Sequence, residues 1–149
     1  MSSNKIRRDI LQGWEIAVID DEPDSLDVAT RILRHYGATV HTAGNGKEGL
    51  ELIGKVHPRF VISDLSMPVM DGWGMLYELK QERATMDIPV IALTAHAMVG
   101  DRERAIMAGF HNYLTKPLTP ATFMSDLLRL LVDIPEFANE IGATSSGEK

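Results

Sequence analysis

The stretch Phe60-Val61-Ile62-Ser63-Asp64 is a short apolar run that ends in a carboxylate. We predict that it is a buried strand, because a short apolar run with turn residues after it is typical of a strand in the core. Met67-Pro68 and Asp71-Gly72 supply such a boundary, and a helical pattern follows over about residues 73–83. An apolar run followed by a helical pattern occurs five times along the chain.

The other four units extend this pattern in both directions. The predicted strands cover residues 16–19, 38–42, 88–93 and the region around Tyr113-Leu114. Helices are predicted over residues 24–36, from Asn45-Gly46 through Ile53, over 101–108, and from an N-cap at Thr119 to about Leu131. This alternation predicts an α/β fold, a doubly wound parallel sheet of five strands with helices on both faces.

Length and composition fit one domain with short tails. The chain has 149 residues, and we assign 1–13 to an N-terminal extension, 14–132 to the domain and 133–149 to a tail that is mobile at its end. The net charge of -6 argues against a nucleic-acid partner. The chain has no cysteine, which excludes thiolate sites, and no apolar stretch approaches the roughly 20 residues of a membrane span. We therefore expect a cytoplasmic protein.

Polar residues stand where the predicted strands end. In a parallel sheet these ends share one edge, where ligands bind. The residues in question are Asp20, Asp21, Asp64, Thr94 and Lys116. Each alone has a structural explanation, as a helix start, a turn, a cap or a solvated charge. Together they predict a phosphoryl-transfer site, because clustered carboxylates need a cation such as Mg²⁺, and a lysine and a hydroxyl bind phosphoryl oxygens.

Four blocks of the sequence resemble the receiver domain of response regulators. They are Asp20-Asp21, the stretch from Asp64 to Gly72 (DLSMPVMDG), Ala92-Leu93-Thr94-Ala95, and Tyr113-Leu114-Thr115-Lys116-Pro117. The resemblance covers about residues 14–132 and implies the strand order 2-1-3-4-5 of the chemotaxis receiver. It also implies a stand-alone regulator of a two-component or phosphorelay system.

The resemblance assigns the central chemistry to the acids. Asp64 is expected to take a phosphoryl group from a phosphohistidine. Asp21 and Asp64 are expected to bind Mg²⁺ directly, Asp20 mostly through water, and Ser66 through its backbone carbonyl. The donor is expected to be a sensor histidine kinase or a histidine phosphotransfer protein.

The remaining roles implied by the resemblance concern the phosphorylated state. Lys116 is expected to contact the phosphoryl group and Thr94 to hydrogen-bond to it, while Tyr113 turns inward as an aromatic switch. Pro117 is expected to follow a cis peptide bond. Ser66 and His96 occupy positions that tune hydrolysis, although an exposed histidine without a role is an equal alternative for His96. The chain is then a switch that catalyses its own phosphorylation and slow dephosphorylation, not an enzyme with a separate substrate, and it signals to a downstream protein.

The predicted last helix carries two apolar stripes. Phe123, Leu127 and Leu131, with Leu130, form the expected core face, and Met124, Leu128 and Val132 lie beside them at helical spacing. We interpret the second stripe as a surface for a partner or a homodimer. The alternative is that it is core, covered by the tail.

Two other functions share this fold class, and one other context is open. A phosphatase of the haloacid dehalogenase type needs a second acid two residues after its nucleophile, where this chain has Ser66. A flavodoxin-like carrier needs a phosphate-binding loop where this chain has Asp20-Asp21-Glu22. A receiver cut from a larger kinase is also possible, although the two tails favour a complete short protein.

Overall fold

A computed structural model of the protein describes residues 6–95 and 99–145. Five parallel strands form one sheet in the order β2-β1-β3-β4-β5, which confirms the predicted fold. The strands are β1 (Glu15–Ile19), β2 (Thr39–Ala43), β3 (Phe60–Asp64), β4 (Val90–Thr94) and β5 (Asn112–Thr115). The helices are α1 (Pro23–His35), α2 (Gly46–Val56), α3 (Gly72–Gln81), α4 (Asp101–Ala108), α5 (Phe123–Leu131) and α6 (Pro135–Ser145). None of these helices is long and apolar enough to cross a membrane.

The strands bury both of their faces because helices cover the sheet on both sides. Side chains alternate along a strand, so Ile16 and Val18 of β1 join one apolar cluster while Ala17 and Ile19 join the other. Helices α1 and α5 contribute to the first cluster, and α2, α3 and α4 contribute to the second. Continuous burial on both faces explains why β3 and β4 are almost wholly apolar in sequence.

The start of α5 differs from the prediction. The helix begins at Phe123 with Thr122 in the N-cap position, not at Thr119. The carbonyl of Thr119 accepts hydrogen bonds from the backbone N–H groups of Thr122 and Phe123, at 3.1 and 2.9 Å. Residues 119–122 therefore form a turn that precedes the helix.

The segment from residue 133 onwards is not simply a tail, because residues 135–145 form α6. Phe137 of this helix is buried against Trp14, with 4.8 Å between ring centroids, and lies near Phe60. The Arg59 guanidinium stacks over the Trp14 ring and forms an ion pair of 2.9 Å with Glu140. Helix α6 thus closes the end of the sheet where β1 and β3 begin. The end of the tail, from Gly142 on, is expected to be mobile because its residues are small and polar. Residues 142–145 form the last turn of α6, and residues 146–149 lie outside the described part of the chain.

The N-terminal segment packs against the same end of the sheet. Ile10 and Leu11 are buried in the first apolar cluster, and the backbone N–H of Leu11 donates to the carbonyl of Tyr36 at 2.9 Å. The predicted N-terminal extension therefore contributes to the core along with α6.

The prediction of an exposed apolar stripe on α5 is wrong. Met124 and Leu128 are buried in the cluster that also holds Leu11 and Phe137, and of the stripe only Val132 is exposed. The N-terminal segment and α6 contribute apolar side chains to this same cluster, and α6 contacts α5 directly. The sheet is therefore not the only apolar surface in the cluster that holds α5. The homodimer surface that we inferred from this stripe has no support.

The variant Leu128→Glu is therefore expected to lose at least about 3 kcal/mol of unfolding free energy, because it places a charge among apolar side chains. Val132→Glu, one helical turn further on, is expected to change this free energy by less than about 0.5 kcal/mol, because Val132 is exposed. Urea unfolding followed by circular dichroism measures both values. Equal stability of the two variants would show that Leu128 is a surface residue.

Candidate functional site

The site lies at the carboxyl end of the two central strands. Asp20 follows β1 directly and Asp64 is the last residue of β3, and these strands are paired with Ile19 opposite Ser63. The chain leaves β1 towards β2 on one side and leaves β3 towards β4 on the other. Strands that diverge in this way open a crevice at their carboxyl ends.

Three predicted acids meet in this crevice. Asp20, Asp21 and Asp64 each offer one carboxylate oxygen, and these oxygens lie within 4.8 Å of one another. Asp20 and Asp64 are buried, whereas Asp21 is exposed. Within the described chain, the buried Oδ2 atom of Asp20 receives no hydrogen bond, although the Lys116 ammonium lies 3.1 Å away. Clustered carboxylate oxygens, one of which receives no hydrogen bond, are suitable ligands for a divalent cation such as Mg²⁺.

Lys116 brings the compensating positive charge. It follows β5, and its backbone N–H donates to the carbonyl of Thr94 at 2.8 Å. Its Nζ atom lies 3.2 Å from Oδ1 of Asp20 and 3.4 Å from Oδ2 of Asp64. The ammonium therefore bridges carboxylates at the ends of β1 and β3. Burial disfavours the charged form of Lys116. The hydrogen bonds that its ammonium donates to Glu22 and Asp20, together with the charges of Asp20 and Asp64, outweigh burial and raise the pKa of Lys116 above its ordinary value.

Asp64 holds its proton more tightly than an ordinary aspartate. Burial, followed by the negative charge of Asp20, raises the pKa of Asp64 from 3.8 to about 6, and Lys116 only partly opposes this shift. Without a further cation the crevice thus has an excess of negative charge. A proton and a metal ion therefore compete for the same carboxylate oxygens of Asp64.

The loop after Asp64 is fixed by close backbone packing. A Cβ atom on Gly72 would collide with the backbone carbonyl of Asp64, so α3 can begin this close to the acid only with glycine there. Asp71 caps α3 by accepting a hydrogen bond from the N–H of Gly74 at 2.8 Å. On the other side, the N–H of Gly46 donates to the carbonyl of Met70 at 2.8 Å. The Asp71-Gly72 pair predicted as a turn therefore also positions Asp64.

The predicted switch residues lie on β4 and β5. Thr94 is buried at the end of β4, opposite Thr115 of β5, and so lies beside the Lys116 backbone. Tyr113 is half-buried and packs against the apolar cluster formed with α2, α3 and α4. The bond between Lys116 and Pro117 is cis, as the resemblance implies.

The two residues assigned to hydrolysis are not both described. Ser66 is exposed in the loop, two residues after Asp64. His96 lies outside the described residues. Their roles stay predictions.

One residue of the site was missed. Glu22 is exposed, and its Oε1 atom lies 2.6 Å from Nζ of Lys116, the shortest carboxylate contact of that lysine. This hydrogen bond and the Lys116 charge hold the pKa of Glu22 below its usual value. The position of Glu22 directly after Asp20-Asp21 could have indicated it, since the same strand end carries all three acids.

Comparison with known proteins agrees with this geometry. A family model described as the response regulator receiver domain matches residues 16–128. An uncharacterized 14.6 kDa protein of Leptolyngbya boryana, encoded in the sodA1 3' region, is 39% identical over 121 residues, which cover 81% of this chain and 89% of that protein. A probable transcriptional regulator, ycf27, of Porphyridium aerugineum is 32% identical and covers 92% of this chain. The chain spans 56% of that regulator, and about half of the related regulators it matches.

Solved structures show the same fold. A response regulator from Chloroflexus aurantiacus has a TM-score of 0.72 at 27% identity and covers 80% of this chain and 98% of its own. The receiver domain of a sensor histidine kinase from Pseudomonas aeruginosa has a TM-score of 0.71 at 31% identity, with the same coverage. The latter structure has a magnesium ion coordinated in its active-site cleft.

In protein stripped of divalent metal, Asp64→Asn is expected to be more stable than the wild type at about pH 7.5. Because the pKa is raised in the folded state, the stabilising contribution of protonated Asp64 is present below 3.8 and is lost as the pH rises through about 6. We expect the difference in unfolding free energy to grow by on the order of 2 kcal/mol over this window. Urea unfolding at several pH values measures it.

The exposed Asp87 supplies the control for that experiment, because Asp87→Asn makes the same change of charge away from the crevice. Its stability relative to the wild type is expected to stay level over the same window. A level difference for Asp64→Asn as well would contradict the raised pKa.

Proposed function

The chain belongs to the family of response regulator receiver domains, which accept phosphoryl groups in two-component signalling, and we propose that Asp64 is the residue it phosphorylates. The observation that supports this is the buried Asp64 carboxylate at a strand end, held between Lys116 and the acids that follow β1. A carboxylate is a weak nucleophile, but phosphoryl transfer depends mainly on alignment and on neutralising charge. This crevice supplies both.

The proposed reaction moves one phosphoryl group from a histidine to Asp64. A carboxylate oxygen of Asp64 attacks the phosphorus, a new O–P bond forms, and the P–N bond to the donor imidazole breaks. The electron pair of that bond stays on the imidazole nitrogen. A donor ring that is protonated on its other nitrogen then leaves as neutral histidine. Lys116 stabilises the negative charge on the phosphoryl oxygens during transfer.

We also propose that this chain holds Mg²⁺ in the crevice. Asp21 and Asp64 bind it directly, Asp20 acts mostly through water, and the backbone carbonyl of Ser66 is the remaining protein ligand. The three carboxylates and the Asp20 oxygen without a hydrogen-bond donor fit this ion. When bound, Mg²⁺ neutralises charge on the acid cluster and on the transferred group.

The response to phosphorylation is proposed to pass through β4 and β5. Thr94 hydrogen-bonds to the new phosphoryl group, and Tyr113 changes its packing against the neighbouring apolar cluster. The chain then acts as a switch that promotes its own phosphorylation and slow dephosphorylation. A sensor histidine kinase or a histidine phosphotransfer protein supplies the phosphoryl group, and a protein partner reads the switched state.

Asp64→Asn is expected to abolish phosphorylation. Acetyl phosphate with Mg²⁺ should add one phosphoryl group to the wild type, visible by intact-mass spectrometry, and none to the variant, because an amide is not a nucleophile for phosphorus. Asp87→Asn, with an equal change of charge at an exposed site, should be labelled like the wild type. Equal early labelling of all three proteins would show that another residue is the acceptor.

Asp21→Ala is expected to weaken Mg²⁺ binding at least about tenfold, because it removes a direct ligand. NMR shifts of backbone amides at the strand ends, followed during a Mg²⁺ titration, measure the affinity. Asp24→Asn is the matched control, since Asp24 is an exposed acid outside the cluster. An unchanged affinity for Asp21→Ala would remove Asp21 from the proposed site.

A further inference from the structure

The contacts of Lys116 leave no hydrogen of its ammonium group unused. Three carboxylates accept from Nζ: Oε1 of Glu22 at 2.6 Å, Oδ1 of Asp20 at 3.2 Å and Oδ2 of Asp64 at 3.4 Å. A lysine ammonium has three hydrogens to donate. A phosphoryl oxygen on Asp64 can therefore bind Lys116 fully only if one of these acceptors leaves.

The structure distinguishes the acceptor that is able to leave. Asp20 is fully buried, and its Oδ1 atom also accepts a hydrogen bond from the backbone N–H of Glu22 at 3.0 Å. Asp64 carries the phosphoryl group itself. The Glu22 side chain is 61% exposed, so water can replace Lys116 around its carboxylate.

The Glu22 side chain does not stabilise the start of α1 by a capping hydrogen bond. Glu22 nevertheless stands at the N-cap of that helix. Its Oε1 atom contacts Lys116 and accepts a weaker hydrogen bond from the Ser25 hydroxyl at 3.3 Å. A substitution of Glu22 therefore alters the contacts of the Lys116 ammonium but removes no capping hydrogen bond from α1, which has Pro23 in its first turn.

We propose that Glu22 is a positioning residue that holds Lys116 in the unphosphorylated protein and must release it before the lysine can bind a phosphoryl group on Asp64. This inference rests on the proposed function, because it assigns Lys116 to the phosphoryl group. Glu22 then opposes phosphorylation through competition for the ammonium. Its loss favours the phosphorylated form.

The cavity beside Lys116 offers a matched control. This cavity of about 730 Å³ is lined by Glu22, Asp24 and Lys116 among others. Asp24 is exposed, lies two residues from Glu22, and forms no ion pair with Lys116 within the part of the chain that the structure describes. Asp24→Asn and Glu22→Gln each replace an exposed carboxylate in the lining of this cavity with an amide, so each removes one negative charge that repels anions. Only Glu22→Gln weakens the contact with Lys116.

The first measurement is the affinity for trifluoroberyllate, an analogue of the phosphoryl group, titrated with Mg²⁺ present and followed by NMR. Glu22→Gln is expected to bind it about two- to fivefold more tightly than Asp24→Asn, as befits a largely exposed ion pair. The second measurement needs no metal. Hydrogen exchange of the Lys116 ammonium should be faster in metal-free Glu22→Gln than in Asp24→Asn or the wild type.

The outcomes separate the two proposals. If the wild type does not bind trifluoroberyllate, or if Asp64→Asn binds it equally well, the proposed function fails and this inference fails with it. If the wild type binds through Asp64 but Glu22→Gln is no tighter than Asp24→Asn, only the role of Glu22 is overturned. Unchanged exchange of the Lys116 ammonium overturns it as well.

Discussion

One lysine ammonium compensates the negative charge that the ends of β1 and β3 bring together. Parallel strands end on the same edge of the sheet, and β1 and β3 are neighbours, so Asp20 and Asp64 lie close together once the sheet forms. Lys116 reaches them from the end of β5, past β4 to Asp64 and past β4 and β3 to Asp20. Because one cation faces several acids, the compensation is incomplete, and the raised pKa of Asp64 is its direct consequence.

This incomplete compensation also accounts for the chemistry. A crevice with surplus negative charge suits a cation such as Mg²⁺, and in the proposed function this ion and Lys116 would together offset the charge of an incoming phosphoryl group. In our proposal, phosphorylation of Asp64 replaces one contact of the Lys116 ammonium, and the exposed carboxylate of Glu22 is the acceptor that exchanges this ammonium for water. On this proposal, the contacts of Lys116 in the unphosphorylated protein set how readily the phosphorylated state forms. In the proposed switch, Thr94 at the end of β4 and Tyr113 on β5, which packs against the second apolar cluster, carry that change into the fold.

The sequence predicted the central sheet and most of the site for one physical reason. Buried strands are short, apolar and bounded by turns, so the sequence predicts β1, β3 and β4, and the parallel topology brings the residues at their carboxyl ends to one edge.

The burial of the second apolar stripe of α5 could not be predicted in this way. Met124 and Leu128 of its second stripe are buried in an apolar cluster that also holds Leu11 and Phe137, and helical spacing alone does not reveal what covers a helix. Helix α6 did have a signal, because Ile134, Phe137 and Ile141 recur at helical spacing. The contact between Glu22 and Lys116 could not be predicted either, because several acids lie near this lysine and sequence order does not determine which of them it contacts most closely.

The central claim is that the acyl phosphate forms on Asp64, and chemical trapping tests it most directly. Borohydride reduces an acyl phosphate to an alcohol and so converts a phosphorylated aspartate into homoserine. The wild-type chain is treated with acetyl phosphate and Mg²⁺, reduced, digested and sequenced by mass spectrometry. The account predicts homoserine at position 64 and aspartate at positions 20 and 21. Homoserine at another position, or none at position 64 in protein that carries the phosphoryl mass, would contradict it.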